Sequence, residues 1–373
     1  MNRFPNIRVT ALVAIAAAGL LAACEDPKPT PAAKPSATAV TTAKVAAPDP
    51  KKSNDIDPDR LAMFGPLPVA VEVATNPTSD AKVALGRMLY YETRLSKNHD
   101  LSCNSCHDLA AYGGDGKEVS PGHKAQKGTR NSPTVYNAAG HFVQFWDGRA
   151  ATVEEQAKGP IVNPVEMASD EKRVIETLSS IPAYVEAFKK AFPDAKDAIS
   201  LENVGKAIGS FERKLLTPAK WDKYLKGDKS ALTDQEKAGF NAYVEAGCTA
   251  CHTGPYLGGT VYQKAGLVKP WPNQKDQGRF DVTKADADKM MFKVPGLRNI
   301  EKTAPYFHDG SGKTLAEAVK VMASLQSGKE LKDDEVKSIV AFLNTLTGDI
   351  PKDLIKAPEL PKSTPKTPKP DPK

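Results

Sequence analysis

The sequence predicts a mainly α-helical fold divided into two domains, on the basis of three observations. Apolar residues recur at intervals of three and four over residues 201–215, whereas no stretch of comparable strength alternates like a strand. The pattern C-x-x-C-H occurs twice, at Cys103 and at Cys248. About 290 residues lie between two Pro-rich ends, which is enough for two domains.

The chain begins with a segment, residues 1–23, that has the pattern of an export signal. Two arginines precede an apolar run over residues 9–21, which is too short to span a membrane as a helix. The run ends in Leu-Ala-Ala-Cys24, which resembles the cleavage and acylation site of bacterial lipoproteins. We therefore expect a periplasmic protein anchored to a membrane through lipid on Cys24, with an ordinary signal peptide as the alternative.

Pro-rich segments with few large apolar residues flank the core, at residues 24–58 and 351–373. Such compositions do not bury enough apolar surface to offset the entropy that is lost on ordering. The sequence therefore predicts a disordered spacer before the core and a disordered tail after it.

Helices are predicted in the part between these ends. Residues 80–91 and 336–346, like residues 201–215, carry apolar side chains at helical spacing. Two Thr-x-x-Glu sequences, starting at Thr233 and Thr314, have the pattern of a capping box at a helix start. The first of these helices is expected to run up to the second C-x-x-C-H.

C-x-x-C-H is the attachment signature of a c-type haem, in which the thiols add to the haem vinyl groups and the histidine binds the iron. With five Cys and six His in the chain, chance would produce the pattern only about 0.001 times. The alternatives are a zinc site, a redox-active thiol pair or disulfides, but zinc would need ligands from both motifs at one centre. The predicted attachment residues for two haems are Cys103, Cys106, His107, Cys248, Cys251 and His252.

The charge pattern does not indicate a nucleic-acid partner. The formal net charge is +6, but the lysines are spread along the chain and no basic stretch with interleaved aromatic residues occurs. The export signal accounts for two of these charges, and haem propionates would offset most of the remainder.

The second axial ligand of each haem decides whether the iron only transfers electrons or also binds a small molecule. For the second haem, Met322 is a candidate on a capped helix, with Met290 and Met291 as rivals on sequence alone. For the first haem, His123 lies in a polar, Gly-containing loop and could bind iron in one state and leave it in another. His141 is assigned to the surface.

The sequence closely resembles bacterial di-haem cytochrome c peroxidases over residues 59–348. The resemblance rests on both C-x-x-C-H motifs and on four further segments, residues 127–134, 144–149, 157–160 and 305–310. It implies two cytochrome c-like domains, residues 59–215 with a low-potential peroxidatic haem and residues 216–350 with a high-potential haem that supplies electrons.

The resemblance also implies roles for single residues. His107 and His252 would be the proximal ligands, His123 the displaceable distal ligand of the first haem, and Met322 the distal ligand of the second. Trp146 matches the tryptophan that lies between the two haems in this family, although burial at a domain interface is an equally good reason for its presence.

Gln156 and Glu166 match the pair that lines the peroxide pocket. A carboxylate can move a proton between the two peroxide oxygens while an amide helps to orient them. Asn131, Thr303 and Pro305 match positions that give oxygen ligands to a calcium ion between the domains, which suits a hard cation.

The predicted activity is that of a peroxidase that reduces hydrogen peroxide to water with electrons from a small c-type cytochrome or copper protein. By resemblance, reduction of the second haem with calcium bound releases His123, and the enzyme forms a homodimer. The alternatives are a di-haem electron carrier without catalysis and a di-haem enzyme that oxidises a partner protein. Met322 argues against the latter, which uses tyrosine at the matching position.

Overall fold

The computed structural model describes residues 55–373, so Cys24 and most of the predicted spacer lie outside the described residues. None of the helices described in this range has the length and apolar character needed to cross a membrane. The α-helices of residues 55–373 are α1 (Pro58–Leu61), α2 (Asp80–Tyr90), α3 (Cys103–Cys106), α4 (Val153–Val162), α5 (Glu171–Ser179), α6 (Pro182–Ala191), α7 (Leu201–Glu212), α8 (Lys220–Leu225), α9 (Asp234–Glu245), α10 (Phe280–Thr283), α11 (Leu315–Ser327), α12 (Asp333–Asn344) and α13 (Lys352–Ile355).

The strands that the structure describes are short. β1 (Tyr262–Lys264) pairs antiparallel with β2 (Met291–Lys293), with Gln263 opposite Phe292. Long loops join the helices, and several contain single 3₁₀ turns such as His123–Ala125 and Cys248–Ala250. The prediction of a mainly helical fold is therefore confirmed.

The first hydrophobic core is built around α7, which packs against α2 and α4. Val204, Ile208 and Phe211 are fully buried, as their spacing predicts. A Cβ added to Gly86 of α2 would lie only 1.9 Å from the carbonyl oxygen of Ala207, so only a glycine allows α2 and α7 to approach this closely.

The second hydrophobic core is built around the crossing of α9 and α12. A Cβ added to Gly239 would lie 2.0 Å from the carbonyl oxygen of Ser338, so these two helices also touch through their backbones. Trp221 is fully buried in this core, and its ring centroid lies 5.1 Å from those of both Phe240 and Phe342.

Residues 56–67, at the start of the described chain, pack on the second core rather than the first. Ile56 and Phe64 contact this core, and the main-chain N–H of Leu67 donates to Oδ1 of Asp222 at 2.6 Å. The resemblance places residues 59–67 in the first domain, whereas their contacts are with the second core. Local sequence does not reveal this, because the contacts join residues that are far apart in the chain.

Residues 351–373 lie against the first half of the sequence instead of being disordered. The Nη2 group of Arg94 donates to the carbonyl oxygen of Pro361 at 2.8 Å, and the hydroxyls of Ser180 and Thr367 lie 2.7 Å apart. This differs from the prediction because that prediction considered apolar burial alone. The segment is held by its backbone carbonyls and its hydroxyl groups.

A buried polar network joins the two halves at Thr217, which is fully buried. The side-chain amides of Asn137 and Asn299 both donate to Oγ1 of Thr217, at 2.8 and 2.9 Å. Asn137 accepts from the main-chain N–H of Thr217 in return, and Asn299 accepts from that of Gly348. Residues from both halves of the sequence are thus tied to the segment between α7 and α8.

Candidate haem-binding cavities

The first C-x-x-C-H motif forms a single helical turn, α3, that ends at His107. The main-chain N–H of His107 donates to the carbonyl oxygen of Cys103 at 3.0 Å, and the hydroxyl of Tyr90 donates to the carbonyl oxygen of His107 at 2.8 Å. Burial raises the pKa of the Cys103 thiol to about 12. Tyr90, the last residue of α2, thus holds the motif, and neither of its cysteines forms a disulfide.

The second motif has the same construction. Gly247, with a φ of 85°, ends α9 and turns the chain into the 3₁₀ turn Cys248–Ala250. The main-chain N–H of His252 donates to the carbonyl oxygen of Cys248 at 3.0 Å, and the hydroxyl of Tyr243 donates to the carbonyl oxygen of His252 at 2.7 Å. Sequence reasoning missed both tyrosines, which hold the two motifs in the same way.

The donor atoms of the two motifs fit haem. Nδ1 of His252 lies 3.0 Å from the carbonyl oxygen of Leu257, a contact that leaves Nε2 free for iron. Burial lowers the pKa of both His107 and His252, so each imidazole is neutral, as an iron ligand must be. Cavities whose exposed surface is mostly apolar open at each motif.

The two cavities share one wall. The first cavity contains Cys103, Cys106 and His107, and the second contains Cys248, Cys251 and His252. The residues that line both cavities are Asn131, Ser132, Pro133, Thr134, Trp146, Lys293, Pro295 and Gly296.

Trp146 is fixed within this wall. Its Nε1 group donates to the carbonyl oxygen of Asn131 at 3.0 Å, and its own carbonyl oxygen accepts from the main-chain N–H of Lys293 at 2.7 Å. Trp146 therefore lines both cavities, with its indole bonded to the first half of the sequence and its main chain to the second.

Met322 lines the second cavity together with His252. It lies on α11, whose N-terminal residue Thr314 accepts from the main-chain N–H of Glu317. Met290 and Met291 do not line this cavity. Met290 packs against Trp271 in a small cluster that Met322 also contacts.

His123 is buried beside the first cavity but is not one of the residues that line it. Its main-chain N–H donates to the carbonyl oxygen of Glu166 at 2.7 Å, and its Nε2 has no hydrogen-bond partner among the described residues. The neighbouring Gly122 does line the cavity, and a Cβ there would lie 2.0 Å from the carbonyl oxygen of Val165. The loop is therefore closed tightly onto the turn that carries Glu166.

Gln156 of α4 and Glu166 both line the first cavity. The side-chain amide of Asn163 donates to Oε1 of Glu166 at 2.8 Å. Burial raises the pKa of Glu166, although the positive charge of Arg149 and the bond from Asn163 oppose this. A carboxyl group with a raised pKa in a cavity can exchange protons nearer to neutral pH than an exposed one.

Asn131, Thr303 and Pro305 all line the second cavity. The side-chain amide of Asn131 donates to the carbonyl oxygen of Lys117 at 2.9 Å, and its main-chain N–H donates to the carbonyl oxygen of His308 at 2.7 Å. The ring of His308 stacks on Phe292, with 4.2 Å between the ring centroids. The three expected calcium ligands thus lie in one cavity wall.

His141 differs from its assignment to the surface. It lines the first cavity, and its ring packs edge-on against Tyr256 at 5.7 Å. A Cβ added to Gly259 would lie 2.2 Å from the His141 ring, so this glycine makes room for it. No local pattern around His141 indicates this position.

Comparison with known proteins identifies the family. A family model described as di-haem cytochrome c peroxidase matches residues 80–230. The chain is 48% identical to the cytochrome c551 peroxidase of Pseudomonas aeruginosa over 316 residues, which is 83% of this chain and 90% of that protein. It is 47% identical to the cytochrome c551 peroxidase of Nitrosomonas europaea over 82% of this chain and 91% of that protein.

Solved structures with the same fold include a MauG-like protein associated with microbial copper homeostasis. It is 31% identical, with a TM-score of 0.68 over 78% of this chain and 95% of its own. The di-haem peroxidase BthA from Burkholderia thailandensis, at 20% identity and a TM-score of 0.62, shows the fold alone over 80% of this chain and 95% of its own.

Proposed function

This chain belongs to the di-haem cytochrome c peroxidase family, and on that premise we propose how its residues reduce hydrogen peroxide. Hydrogen peroxide, two electrons and two protons give two molecules of water. A small c-type cytochrome or a copper protein supplies the electrons one at a time. The observation that supports this most directly is the pair of cavities, each with one C-x-x-C-H motif, on either side of a wall that contains Trp146.

Haem, when bound through the two motifs, supplies iron that exchanges single electrons and, in the first cavity, a site for peroxide. The chain provides His107 and His252 as proximal ligands and Met322 as the distal ligand of the second site. Trp146 lies on the route between the two cavities. Only the first cavity contains Glu166 and Gln156, which makes it the peroxide-binding site in this proposal.

Glu166 moves the proton that the reaction needs. Its carboxylate takes a proton from the oxygen nearer the first motif and returns it to the departing oxygen, while Gln156 orients the peroxide. The bond from Asn163 to Oε1 leaves Oε2 of Glu166 for this exchange. Because burial raises the pKa of Glu166, its carboxylate takes up this proton more readily than an exposed carboxylate would.

His123 controls access to the first cavity. In the fully oxidised protein its Nε2 would be the distal ligand of the first haem, and uptake of one electron with calcium bound would release it. Two observations support this switch: Nε2 has no partner where the structure describes it, and the adjoining Lys124 and Ala125 have positive φ angles of 56° and 58°. The turn is therefore strained, and a second arrangement of the loop would relieve that strain.

The proposal also includes a calcium site, the cellular location of the protein and its oligomeric state. Side-chain oxygen of Asn131 and the main-chain carbonyls of Thr303 and Pro305, together with water, bind calcium between the two halves. The protein acts in the periplasm, anchored through lipid on Cys24, and forms a homodimer. The pattern of residues 1–24 supports the location and the lipid anchor, and the resemblance to the family supports the homodimer.

The deciding measurement is an EPR spectrum of the calcium-loaded holoprotein, fully oxidised and then reduced by one electron. A high-spin ferric signal is expected only in the half-reduced sample, which should consume peroxide with reduced cytochrome c as donor. Removal of calcium with a chelator should prevent both effects. If both haems stay low-spin and peroxide persists, the protein is an electron carrier instead.

A Glu166→Gln variant tests the proton-transfer step separately. We expect kcat to fall by about 10²–10⁴-fold, while the half-reduced EPR signal is retained, because only proton transfer is lost. Glu171→Gln, which removes an exposed carboxylate from the first turn of α5, is the control and should keep its kcat. Equal activity of Glu166→Gln and the control would exclude Glu166 from this role.

A further inference from the structure

The wall between the two cavities contains a buried cation that the proposed chemistry does not use. Lys293 of β2 is only 6% exposed and lines both cavities. The seven other residues that line both cavities are uncharged. Among the described residues of this shared wall, Lys293 is therefore the one with a formal charge.

Lys293 has no anionic partner among the residues that the structure describes. Its Nζ lies 3.4 Å from Nδ1 of His141. Burial, together with the charge of Lys293, lowers the pKa of His141 well below its usual value, so this imidazole is neutral. It accepts a hydrogen bond from the ammonium group without neutralising it.

Arg130, a second cation near the first cavity, is neutralised by carboxylates. Arg130 lines the first cavity, and its guanidinium forms ion pairs with Asp147 and Asp276, the latter at 2.6 Å. Burial lowers the pKa of Lys293 to about 8, whereas the two carboxylates raise that of Arg130. The chain thus supplies counter-ions for Arg130 and none for Lys293.

An unpaired buried ammonium group is destabilising, and a counter-ion in the adjoining cavity would offset this cost. Haem, which each motif is expected to bind, carries such anions, because each haem has two propionate carboxylates. A carboxylate beside Lys293 would accept a charge-assisted hydrogen bond in a region of low dielectric constant.

We propose that Lys293, supported by His141, binds a haem propionate at the wall between the cavities and raises the reduction potentials of both haems. A fixed positive charge opposes the extra positive charge of ferric iron, so it favours the ferrous state on both sides of the wall. The inference rests on the two haems of the proposed function. It adds a residue that acts on both haems at once.

The test compares Lys293→Met and Lys293→Arg with wild-type holoprotein. Lys264→Met is the matched control, since Lys264 lies on the paired strand β1 with its side chain exposed. Haem content is counted first, and both reduction potentials are then measured by spectroelectrochemical titration. In Lys293→Met, the ferrous-to-ferric ratio at a fixed potential should fall about tenfold for each haem, equivalent to 59 mV for one electron.

Lys293→Arg keeps the charge, and Lys264→Met removes a charge that water and salt already screen, so both variants should keep the ferrous-to-ferric ratio within about twofold of wild type. Unchanged potentials in Lys293→Met with two haems bound, or a change at one haem only, would overturn the inference. Continued peroxide turnover in that variant would leave the proposed function intact. Conversely, shifted potentials in a protein without peroxide turnover would support the role of Lys293 and reject the peroxidase.

If Lys293→Met does not acquire both haems, the Lys293→Arg variant decides whether the charge at this position has the proposed role. Two haems and wild-type potentials in Lys293→Arg would show that the charge at this position is what haem binding requires. If Lys293→Arg fails as well, the position needs the shape of lysine for folding, and the proposed role of its charge is wrong.

Discussion

Glu212 shows how burial sets the protonation state of a single side chain. It lies at the end of α7, lines the first cavity and is 5% exposed. Burial, with a smaller contribution from the negative charge of Glu154, raises its pKa from 4.5 to about 8. Between these two values the folded protein holds a proton that the unfolded chain has released. Stability therefore falls as the pH rises through this range.

Replacement of Glu212 by Gln should remove this pH dependence. One such group changes the free energy of unfolding by up to about 1.4 kcal/mol per pH unit, so wild type should lose stability between pH 5 and 8 faster than Glu212→Gln. Urea unfolding of the holoproteins at four pH values measures the difference. The control is Glu202→Gln, at an exposed position of the same helix, whose slope should match wild type. Parallel slopes for all three proteins would show that Glu212 does not hold a proton.

The residues that local spacing defines were predictable, and those that only packing brings together were not. Both C-x-x-C-H motifs lie at cavities, as their pattern predicts. Tyr90 and Tyr243 bond the histidine carbonyls of these motifs from 17 and 9 residues away, without a shared spacing. Lys293 and His141 meet across 152 residues of sequence, so no local pattern could pair them.

At the scale of elements, the predicted helix starts agree with the structure to different degrees. Thr233 and Glu236 form a complete capping box: the Thr233 hydroxyl accepts from the Glu236 N–H, and the Glu236 carboxylate accepts from the Thr233 N–H. Thr314 caps α11 in the same way, but the carboxylate of Glu317 accepts from the N–H of Lys313 instead. The pattern therefore predicts where the helix begins more reliably than the second bond of the box.

The C-terminal segment is the element whose order the composition did not predict, and Thr367 is its most buried hydroxyl. Oγ1 of Thr367 lies 2.7 Å from Oγ of Ser180 and accepts from the main-chain N–H of Thr364 at 2.9 Å. Further along, the main-chain N–H of Asp371 donates to the carbonyl oxygen of Lys97, and the N–H of Lys97 donates to the carbonyl oxygen of Met167. The tail is thus connected to a residue that lines the first cavity.

Substitution of Thr367 by Val should loosen this segment because it keeps the shape and removes the hydroxyl. We expect a loss of about 1 kcal/mol in the local stability of residues 356–373. Hydrogen exchange measured by mass spectrometry would report this loss as faster exchange in the tail peptides. Lys366→Ala, at the exposed neighbouring position, should leave the exchange rates unchanged. Equal rates in both variants would mean that the other contacts of the tail hold it without the Thr367 hydroxyl.

At the scale of the whole molecule, the repeated motif indicates two similar halves but not how they are connected. Each half forms its own hydrophobic core, and the first core ends at Leu215 while the chain enters the second at Trp221. The segments that flank the two halves contact the core of the opposite half: residues 56–64 contact the second core, and residues 350–355 contact the first. Composition and periodicity describe each segment separately, so they contain no information on which core a segment joins.

Thr217 is the side chain on which the connection between the two halves depends most. Its Oγ1 accepts from the amides of Asn137 and Asn299, which belong to different halves, and Val at this position would leave both buried donors without an acceptor. An unsatisfied buried donor costs about 1–3 kcal/mol. Because the lost bonds lie between the cores and not within either, we expect Thr217→Val to lower the unfolding temperature and to separate one calorimetric transition into two.

Thr347→Val, which removes an exposed hydroxyl bonded to Glu301, is the control and should unfold like wild type. A single transition at lower temperature would mean that the cores remain coupled through the shared wall of the cavities, and that Thr217 only adds stability.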